Sequence, residues 1–416
     1  MSKKVGIQCL ICALASTFIA FLFLNHKNAH ACILEFKNEI QDDVDLERDV
    51  RENRPIQFLN DFDMMEEHEW NIESKCIENL NFFQNHSSSK LNIVFFIMVF
   101  SHIDFVEKIV KRLTDNFEYV HRHAIILHVD LKVNRNMWVG VKELSRKVPN
   151  VCIVQSGNIV YRSASEMRTI HAYEEWLLGF PHWDVFVPMT GKDYLLVDIY
   201  GLEKMLEKVG PEKTWVRPYA KPLVTQSQPG ATSCCLFEDS NCAISDYHQR
   251  ASTYVLPCKD GTPHVAPASN WLYTLEKTPF YFCAALPMFT GFFSRQFLSF
   301  IHRDPTSEMF YRFWRLRGIA AVEHYYPSLI YNLIQMKKSS THTGHFHFAE
   351  SCVMSWWRGL EADGCHNTIL TINEVDLIQD AAAKCAPMAR KFKPEHSERL
   401  LHYIDTQLNY SHCFFS

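Results

Sequence analysis

The feature that most constrains the fold is an alternation of apolar runs and helical patterns between residues 91 and 190. The run LNIVFFIMVFS, at 91–101, is apolar almost throughout, as expected of a strand that is buried on both faces. The segment FVEKIVKRLTDNF follows it and carries apolar residues at the spacing of an amphipathic helix. Strands that alternate with such helices predict βαβ units, a mostly parallel sheet and therefore an α/β fold.

The alternation continues along the chain. We predict further strands at 124–130, 151–155 and 184–190, with helices between them at about 134–147 and about 164–179. Ligands of such sheets bind outside the carboxyl ends of the strands. The residues that follow the strands are therefore candidates for a binding site, and they are Ser101, His102, Asp130, Tyr161 and the segment from Thr190 to Tyr194. The sequence contains neither a GxGxxG nor a P-loop motif, so nothing indicates a dinucleotide or P-loop site.

The amino-terminal region predicts a membrane anchor. Residues 5–24 form an uncharged run of about 20 residues, which is long enough as a helix to cross a bilayer. Lys3 and Lys4 precede the run, so the positive-inside rule predicts a cytosolic tail at 1–4 and a lumenal remainder. The alternative is a cleaved signal peptide, since small residues flank His30, but the run is longer than is usual for one. We therefore expect a single-pass type II protein.

Composition supports one folded domain behind a polar spacer. Residues 25–88 are polar and charged and predict a stem, and residues 89–416 are predicted to form a single catalytic domain. The chain is 47% hydrophobic, which is enough for a substantial core. Its formal net charge is -5 and no basic block is present, which argues against a nucleic-acid partner.

Cysteines and sequons agree with a lumenal location. Of the 14 cysteines, Cys9 and Cys12 lie in the predicted anchor, and the even number that remains suggests disulfides whose pairing the sequence leaves open. None of the cysteines after the predicted anchor forms a CxxC pair of the kind expected at a zinc site. Glycosylation sequons begin at Asn85 and Asn409.

The second half is less regular. Residues 211–287 are rich in proline and predict long loops, within which Trp271 and, further on, Arg295 are candidates for acceptor contacts. The stretch GIAAVEHYYPSLIYN, at 318–332, carries one carboxylate, Glu323, between apolar residues. Spacing alone favours a helix in which Tyr326, Leu329 and Ile330 pack inward, and the other interpretation is a proton acceptor in a cleft.

Six blocks occur in order between residues 91 and 400: IVFFIMVFSHIDFVEKIVKRL, ILHVDLK, VYRSASEMRTIHAYEEWL, HWDVFVPMTGKDYLL, GIAAVEHYYPSLIYN and ARKFKP. Their order and spacing resemble the core-2/I-branching β-1,6-N-acetylglucosaminyltransferase family, whose relatives include the peptide O-xylosyltransferases. The resemblance implies a GT-A type, Rossmann-like nucleotide-sugar-binding fold that needs no metal or other cofactor. The Asp-x-Asp matches at 43–45 and 61–63 lie in the predicted stem, which agrees with a site without Mn²⁺.

The resemblance also implies roles for particular residues. Val99, Asp130 and Tyr161 match the uridine-binding set, and Lys391 with Arg390 matches the cluster that offsets the charge of the leaving diphosphate. Glu323 matches the general base that deprotonates the acceptor hydroxyl. Three positions depart from the family pattern: Val322 replaces an aspartate, Leu195 replaces a proline, and an arginine expected near Asn367 is missing.

The implied function is an inverting transfer of N-acetylglucosamine from UDP-GlcNAc to a hydroxyl of an O-glycan or related glycan, in a β-1,6 linkage. The implied partners are the UDP-sugar donor, a glycan or glycoprotein acceptor and the Golgi membrane. Two alternatives stay open. One is transfer of xylose to a protein serine, suggested by the ARKF sequence, and the other is a catalytically inactive protein of the same fold that binds UDP or a glycan.

Overall fold

A computed structural model describes residues 71–85, 91–114, 123–130, 133–155, 165–216, 291–315 and 369–415, apart from some side chains, and short segments between 233 and 367. The strands are β1 (Asn71–Ile72), β2 (Ile93–Val99), β3 (Ala124–Val129), β4 (Val151–Gln155), β5 (Val185–Thr190), β6 (Asp193–Leu195), β7 (Thr214–Val216), β8 (Ser233–Cys234), β9 (Thr253–Pro257), β10 (Pro263–Pro267), β11 (Phe282–Cys283), β12 (Gly291–Ser294), β13 (Phe346–Phe348), β14 (Val353–Ser355), β15 (Trp357–Glu361), β16 (Gly364–Asn367) and β17 (Met388–Arg390).

The helices of the described residues are α1 (Ser74–Asn85), α2 (Ile103–Thr114), α3 (Arg135–Lys147), α4 (Ser165–Leu178), α5 (Ile199–Val209), α6 (Arg295–Ile301), α7 (Pro305–Trp314), α8 (Val375–Ala383), α9 (Pro394–Thr406) and α10 (Ser411–Phe415). Four of them begin at a side chain that accepts a hydrogen bond from the first turn, which satisfies an otherwise unpaired amide. These capping residues are Asn134, Asp198, Ser294 and Asp304.

Within the described residues, eight strands form the main sheet, in the order β1-β4-β3-β2-β5-β12-β7-β13. The central strands β4, β3, β2 and β5 are parallel to one another, whereas β1 and β12 run antiparallel to β4 and β5. The prediction of an α/β fold with a mostly parallel sheet is confirmed. Each strand and helix predicted between residues 91 and 190 occurs within a few residues of its expected bounds.

The sheet is covered on both faces, and the alternation of side chains along β2 shows this directly. Ile93, Phe95, Ile97 and Val99 belong to a core that includes α2, α3, α5, α8 and α9. Val94, Phe96 and Met98 belong to a second core with α1, α4, α6, α7 and buried residues of the 325–333 segment. Because every β2 side chain is buried, the strand reads as the continuous apolar run seen in the sequence.

The folded unit begins earlier than residue 89, so the predicted end of the stem at residue 88 needs correction. Residues 71–85 form β1 and α1, and β1 pairs with β4. A disulfide joins Cys76 to Cys152, and the Glu73 carboxylate accepts hydrogen bonds from the Ile153 N–H (3.0 Å) and the Ser145 hydroxyl (2.9 Å). This polar segment belongs to the fold because its charged groups satisfy backbone and hydroxyl groups of α3 and β4.

The 211–287 region, predicted as long loops, contributes short strands to the fold. β7 joins the main sheet between β12 and β13, and β9 pairs with β10 in an antiparallel hairpin. Trp271 and the predicted anchor at 5–24 lie outside the described residues. Among the residues that the structure does describe, no helix is both long and apolar enough to span a membrane.

Candidate active site

The order of the parallel strands creates a crevice between β2 and β5. The chain passes from β2 to β3 and β4 on one side and then returns to β5 on the other, so the loops after β2 and β5 diverge. Met98 pairs with Thr190 at the carboxyl ends of these strands, and the Gly191 N–H donates to the Met98 carbonyl oxygen at 2.8 Å. Ligands of open α/β sheets bind at such a switch point, so this edge is the first candidate for a site.

Two predicted uridine-binding residues lie side by side at this edge. Val99 ends β2, and Asp130 follows β3, which is the neighbouring strand. The Asp130 N–H donates to the Val99 carbonyl oxygen at 3.0 Å, and both residues are buried. The third predicted member, Tyr161, lies outside the described residues.

The carboxyl-terminal region returns to the same edge through β17. This strand lies between β14 and β6, and Arg390 pairs with Asp193, close after β5. The Phe392 N–H donates to the Lys192 carbonyl oxygen at 3.0 Å, so the backbone of Lys391 passes close to the β5–β6 turn. The predicted diphosphate cluster therefore lies near the carboxyl ends of the central strands, although most of the chain separates it from β2.

Asp193 and Arg390 form a buried ion pair. The Arg390 Nε lies 3.2 Å from Asp193 Oδ1, and the two side chains are 5% and 2% exposed. Asp193 Oδ2 accepts hydrogen bonds from the Thr190 N–H at 2.6 Å and from the Thr190 hydroxyl at 3.0 Å. The aspartate thus fixes the turn after β5 and the strand that carries the predicted basic cluster. Arg390 was expected at the diphosphate, and the structure adds Asp193 as its partner.

A further cation at this edge is Lys192, which lies within the candidate segment from Thr190 to Tyr194 but was not singled out in the sequence. It is partly exposed, and its Nζ lies 4.6 Å from the centroid of the Phe100 ring, which follows β2. The amino terminus of α2 begins at Ile103, just after β2, where the helix dipole favours a negative charge. The signal that could have identified Lys192 is its place directly after β5, at the predicted switch point. Together with the partly exposed Lys391, it makes the edge suitable for an anion.

Glu323 lies outside the described residues, as do most of the residues close to it in the sequence, but several side chains that follow it are described. Tyr326, Leu329 and Ile330 are buried, which confirms the inward packing predicted from their spacing. The Tyr326 hydroxyl donates to Glu174 Oε1, and its ring stacks on Phe293 with 4.8 Å between centroids. Burial and the Glu174 carboxylate raise the pKa of Tyr326 well above its ordinary value, so the hydroxyl stays protonated as a donor.

Arg295 does not belong to this edge. Its N–H donates to the Asp184 carbonyl oxygen at 2.8 Å, immediately before β5 begins, so it lies at the amino ends of the parallel strands. Its guanidinium donates to the carbonyl oxygens of Phe180 (3.3 Å) and Leu178 (3.2 Å) just after and at the end of α4. Arg295 therefore satisfies helix-terminal carbonyls at the opposite edge of the sheet, and its role as an acceptor contact stays a prediction.

Two clusters among the described residues have side chains of the types that bind metals. Cys385, His412 and Cys413 lie together, but the two cysteines form a disulfide and so provide no thiolate. His171, Glu175 and His302 lie together on α4 and directly after α6, two helices that pack in the second core. Neither cluster contains a residue of the β2–β5 crevice.

Comparisons with known proteins do not identify the function of this chain. No family model matches the chain, and no curated protein matches it. Among solved structures, the mannosyltransferase Ktr4p from S. cerevisiae is similar at a TM-score of 0.24 and 8% identity, over 69% of this chain and 81% of that one. Its complex with GDP gives a TM-score of 0.26 and 9% identity, over 70% and 80% of the two chains. Similarity at this level carries no argument for the activity of this chain, so the functional conclusion has to come from its own site.

Proposed function

We propose that the chain is an inverting glycosyltransferase that moves N-acetylglucosamine from UDP-GlcNAc to a glycan hydroxyl. The observation that carries the proposal is the meeting of Asp130, Lys192 and Lys391 near one edge of a parallel sheet, beside its switch point. A carboxylate and two lysines at the same edge suit a nucleoside diphosphate, which has hydrogen-bond donors at one end and negative charge at the other. The resemblance to the branching transferases supports the choice of UDP-GlcNAc.

Different residues of the site are proposed to bind different parts of the donor. Asp130 accepts hydrogen bonds from the uracil or ribose, Val99 packs beside it, and Tyr161 stacks or donates a hydrogen bond. Lys391 and Lys192 offset the charge of the diphosphate, and the amino terminus of α2 adds a favourable dipole. Arg390 holds Asp193 and with it the β5–β6 turn that presents Lys192. In this scheme fixed cations supply the stabilisation that a metal would otherwise give.

The transfer is a single displacement. The acceptor oxygen forms a bond to the anomeric carbon while the bond from that carbon to the diphosphate oxygen breaks, and the electron pair leaves with UDP. Glu323 takes the proton of the acceptor hydroxyl, which makes the oxygen a better nucleophile. A glutamate with a pKa near ~4.3 is ionised at neutral pH and can accept this proton. One carboxylate is sufficient, because the leaving group is stabilised by charge and needs no second acid.

One pair of measurements tests the proposal. Lys391→Ala should weaken UDP binding at least about tenfold in a calorimetric titration, since it removes a charge-assisted contact worth ~1.5–3 kcal/mol. Lys384→Ala is the matched control, because that lysine is exposed and pairs with Asp380 on α8. Glu323→Gln should bind UDP as the wild type does and lose transfer. Unchanged UDP affinity in Lys391→Ala, or full turnover by Glu323→Gln, would overturn the assignment.

The ARKF sequence at 389–392 supports UDP-xylose as a second candidate donor. The mass added to an acceptor separates the two sugars when the chain is incubated with UDP-GlcNAc or UDP-xylose. A chain that binds UDP tightly and neither hydrolyses nor transfers either sugar would be the inactive alternative.

A further inference from the structure

His171, Glu175 and His302 form a compact group between α4 and α6. His171 and Glu175 are four residues apart on α4, which places them on one face of the helix, and His302 ends α6. One donor atom from each of the three side chains lies within 4.8 Å of the other two, and all three residues are partly buried. The rings of His171 and His302 are 4.2 Å apart between centroids. Two imidazoles and a carboxylate are a ligand set that suits Zn²⁺.

A fully buried carboxylate contacts a ring nitrogen of one of the two histidines. His302 Nε2 lies 3.1 Å from Glu174 Oε2, and the Glu174 side chain is 0% exposed. When Nε2 donates its proton to this carboxylate, Nδ1 keeps a lone pair. Metal-binding histidines commonly donate their second ring nitrogen to a carboxylate, which fixes the tautomer and raises ligand basicity. Glu174 is itself held by the Tyr326 hydroxyl.

The charge of the group also favours a cation. Glu308 is a nearby carboxylate, and it is already paired with Arg312 at 2.8 Å. Glu174 and Glu175 therefore bring two carboxylates to a pair of histidines, and a dication would balance them.

We propose that His171, Glu175 and His302 bind a divalent transition-metal ion, with Zn²⁺ the preferred species. Donor atoms around a tetrahedral zinc ion lie about 3.4 Å apart at bond lengths near ~2.1 Å, so the side chains converge by about 1 Å on binding. A water molecule completes the coordination. The ion ties α4 to α6 behind the Glu174–Tyr326 contact. It is independent of the donor chemistry at the crevice.

The test uses the full-length chain, purified and stripped of metal with a chelator. A calorimetric titration with ZnCl₂ should show one bound ion per chain. In a separate thermal unfolding experiment, the Tm should rise with zinc concentration. His171→Gln and His302→Gln should each weaken zinc binding at least about 100-fold. His402→Gln removes an exposed histidine of α9 and should leave both measurements unchanged.

Two further measurements keep the result decisive. If a histidine variant fails to fold, Glu175→Gln replaces it, because the partly buried carboxylate can be changed to an amide of the same shape and should lower affinity about tenfold or more. Co²⁺ in place of Zn²⁺ should give a spectrum of nitrogen and oxygen ligands without a thiolate charge-transfer band. A stripped wild-type chain that takes up no Zn²⁺, variants that keep wild-type affinity, or a thiolate band would each overturn the site. None of these readouts depends on transfer, so they fail or succeed separately from the proposed function.

Discussion

At the scale of single residues, the Asp193–Arg390 pair controls the edge where the donor is proposed to bind. Both side chains are almost fully buried, and neither finds solvent when the other is removed. Breaking a buried pair on one side typically costs ~3–5 kcal/mol, whereas replacing both members with apolar groups is often close to neutral. The pair therefore specifies the position of β17 more than it adds to stability.

A double-mutant cycle measures this coupling. Asp193→Leu and Arg390→Met should each lower the free energy of unfolding in urea by about 3 kcal/mol, because each removes the opposite charge from a buried ion pair. The double variant should lose clearly less than the sum of the two, with a coupling energy of about 2 kcal/mol. Lys204 and Glu207, an exposed pair on α5, provide the comparison and should couple by less than about 1 kcal/mol. Additive losses at Asp193 and Arg390 would contradict the pairing.

His128 gives the fold a sensitivity to acid. The ring is buried beside Phe96 and Tyr173, and within the described part of the chain neither ring nitrogen has a hydrogen-bond partner. Burial lowers the pKa of His128 from 6.5 to about 3. The unfolded chain therefore binds a proton between these values while the folded chain does not, so stability falls as pH falls through this window.

His128→Phe should remove this dependence. Between pH 7 and pH 5 the wild type should lose about 2 kcal/mol more free energy of unfolding than the variant, from the displaced pKa alone. At pH 7 the variant should be as stable as the wild type or more stable, because an unpaired buried polar group is removed. Urea titrations at the two pH values give the comparison, with His402→Gln as an exposed control. Parallel losses in the wild type and His128→Phe would contradict a neutral buried His128.

Sequence reasoning succeeded at residues whose role is set by their neighbours in the chain. Tyr326, Leu329 and Ile330 are buried because their spacing places them on one face, and Asp130 follows β3, which the sequence itself delimits. It failed where the partner is distant. The sequence around Asp193 does not indicate that Arg390 is its partner. The sequence around Glu174 does not indicate that His302 and Tyr326 contact it. Arg295 was named as a candidate before the sheet edge that it occupies was known.

At the scale of elements, strands buried on both faces were the easiest to predict, because a continuous apolar run leaves few other interpretations. β1 and α1 were the hardest. α1 is polar on much of its surface, and the disulfide, the contacts of Glu73 and Lys75 and the burial of Leu80 show that it belongs to the fold. Such contacts join segments that are far apart in sequence, which is why the stem was predicted to extend too far.

Removing the Cys76–Cys152 disulfide should release this element. The bond closes a separation of 76 residues, and the chain-entropy model assigns about 4 kcal/mol to a loop of that size. In the Cys76→Ala/Cys152→Ala variant, limited proteolysis should cut within 71–85 while residues 91–114 stay protected. The Cys385→Ala/Cys413→Ala variant, which opens a separation of 28 residues, should leave 71–85 intact. Equal protection of 71–85 in both variants would contradict its attachment through Cys76.

At the scale of the whole molecule, the proposed lumenal location has a direct readout at Asn409. This sequon residue is exposed in the turn between α9 and α10, and its Oδ1 accepts a hydrogen bond from the Ser411 N–H at 2.8 Å. When the chain is made in cells with a secretory pathway, treatment with an N-glycosidase should increase its mobility on a gel, and Asn409→Gln should remove part of that shift. Asn373→Gln, outside any sequon, is the control. Unmodified Asn409 would contradict a lumenal domain that presents this turn to the glycosylation machinery.

The insertion of β17 between β14 and β6 also sets an order for maturation. The ribosome synthesises β2 to β5 well before residues 388–390. The strands of the parallel core can therefore pair before Arg390 is available to the turn at Asp193. A stalled or truncated product that ends before β17 therefore has the parallel core but lacks Arg390, the ion-pair partner of Asp193, and lacks Lys391. If the proposed function holds, such a product should fold in part yet bind UDP more weakly than the complete chain, because the last residues of the site to be synthesised are the cations near the crevice.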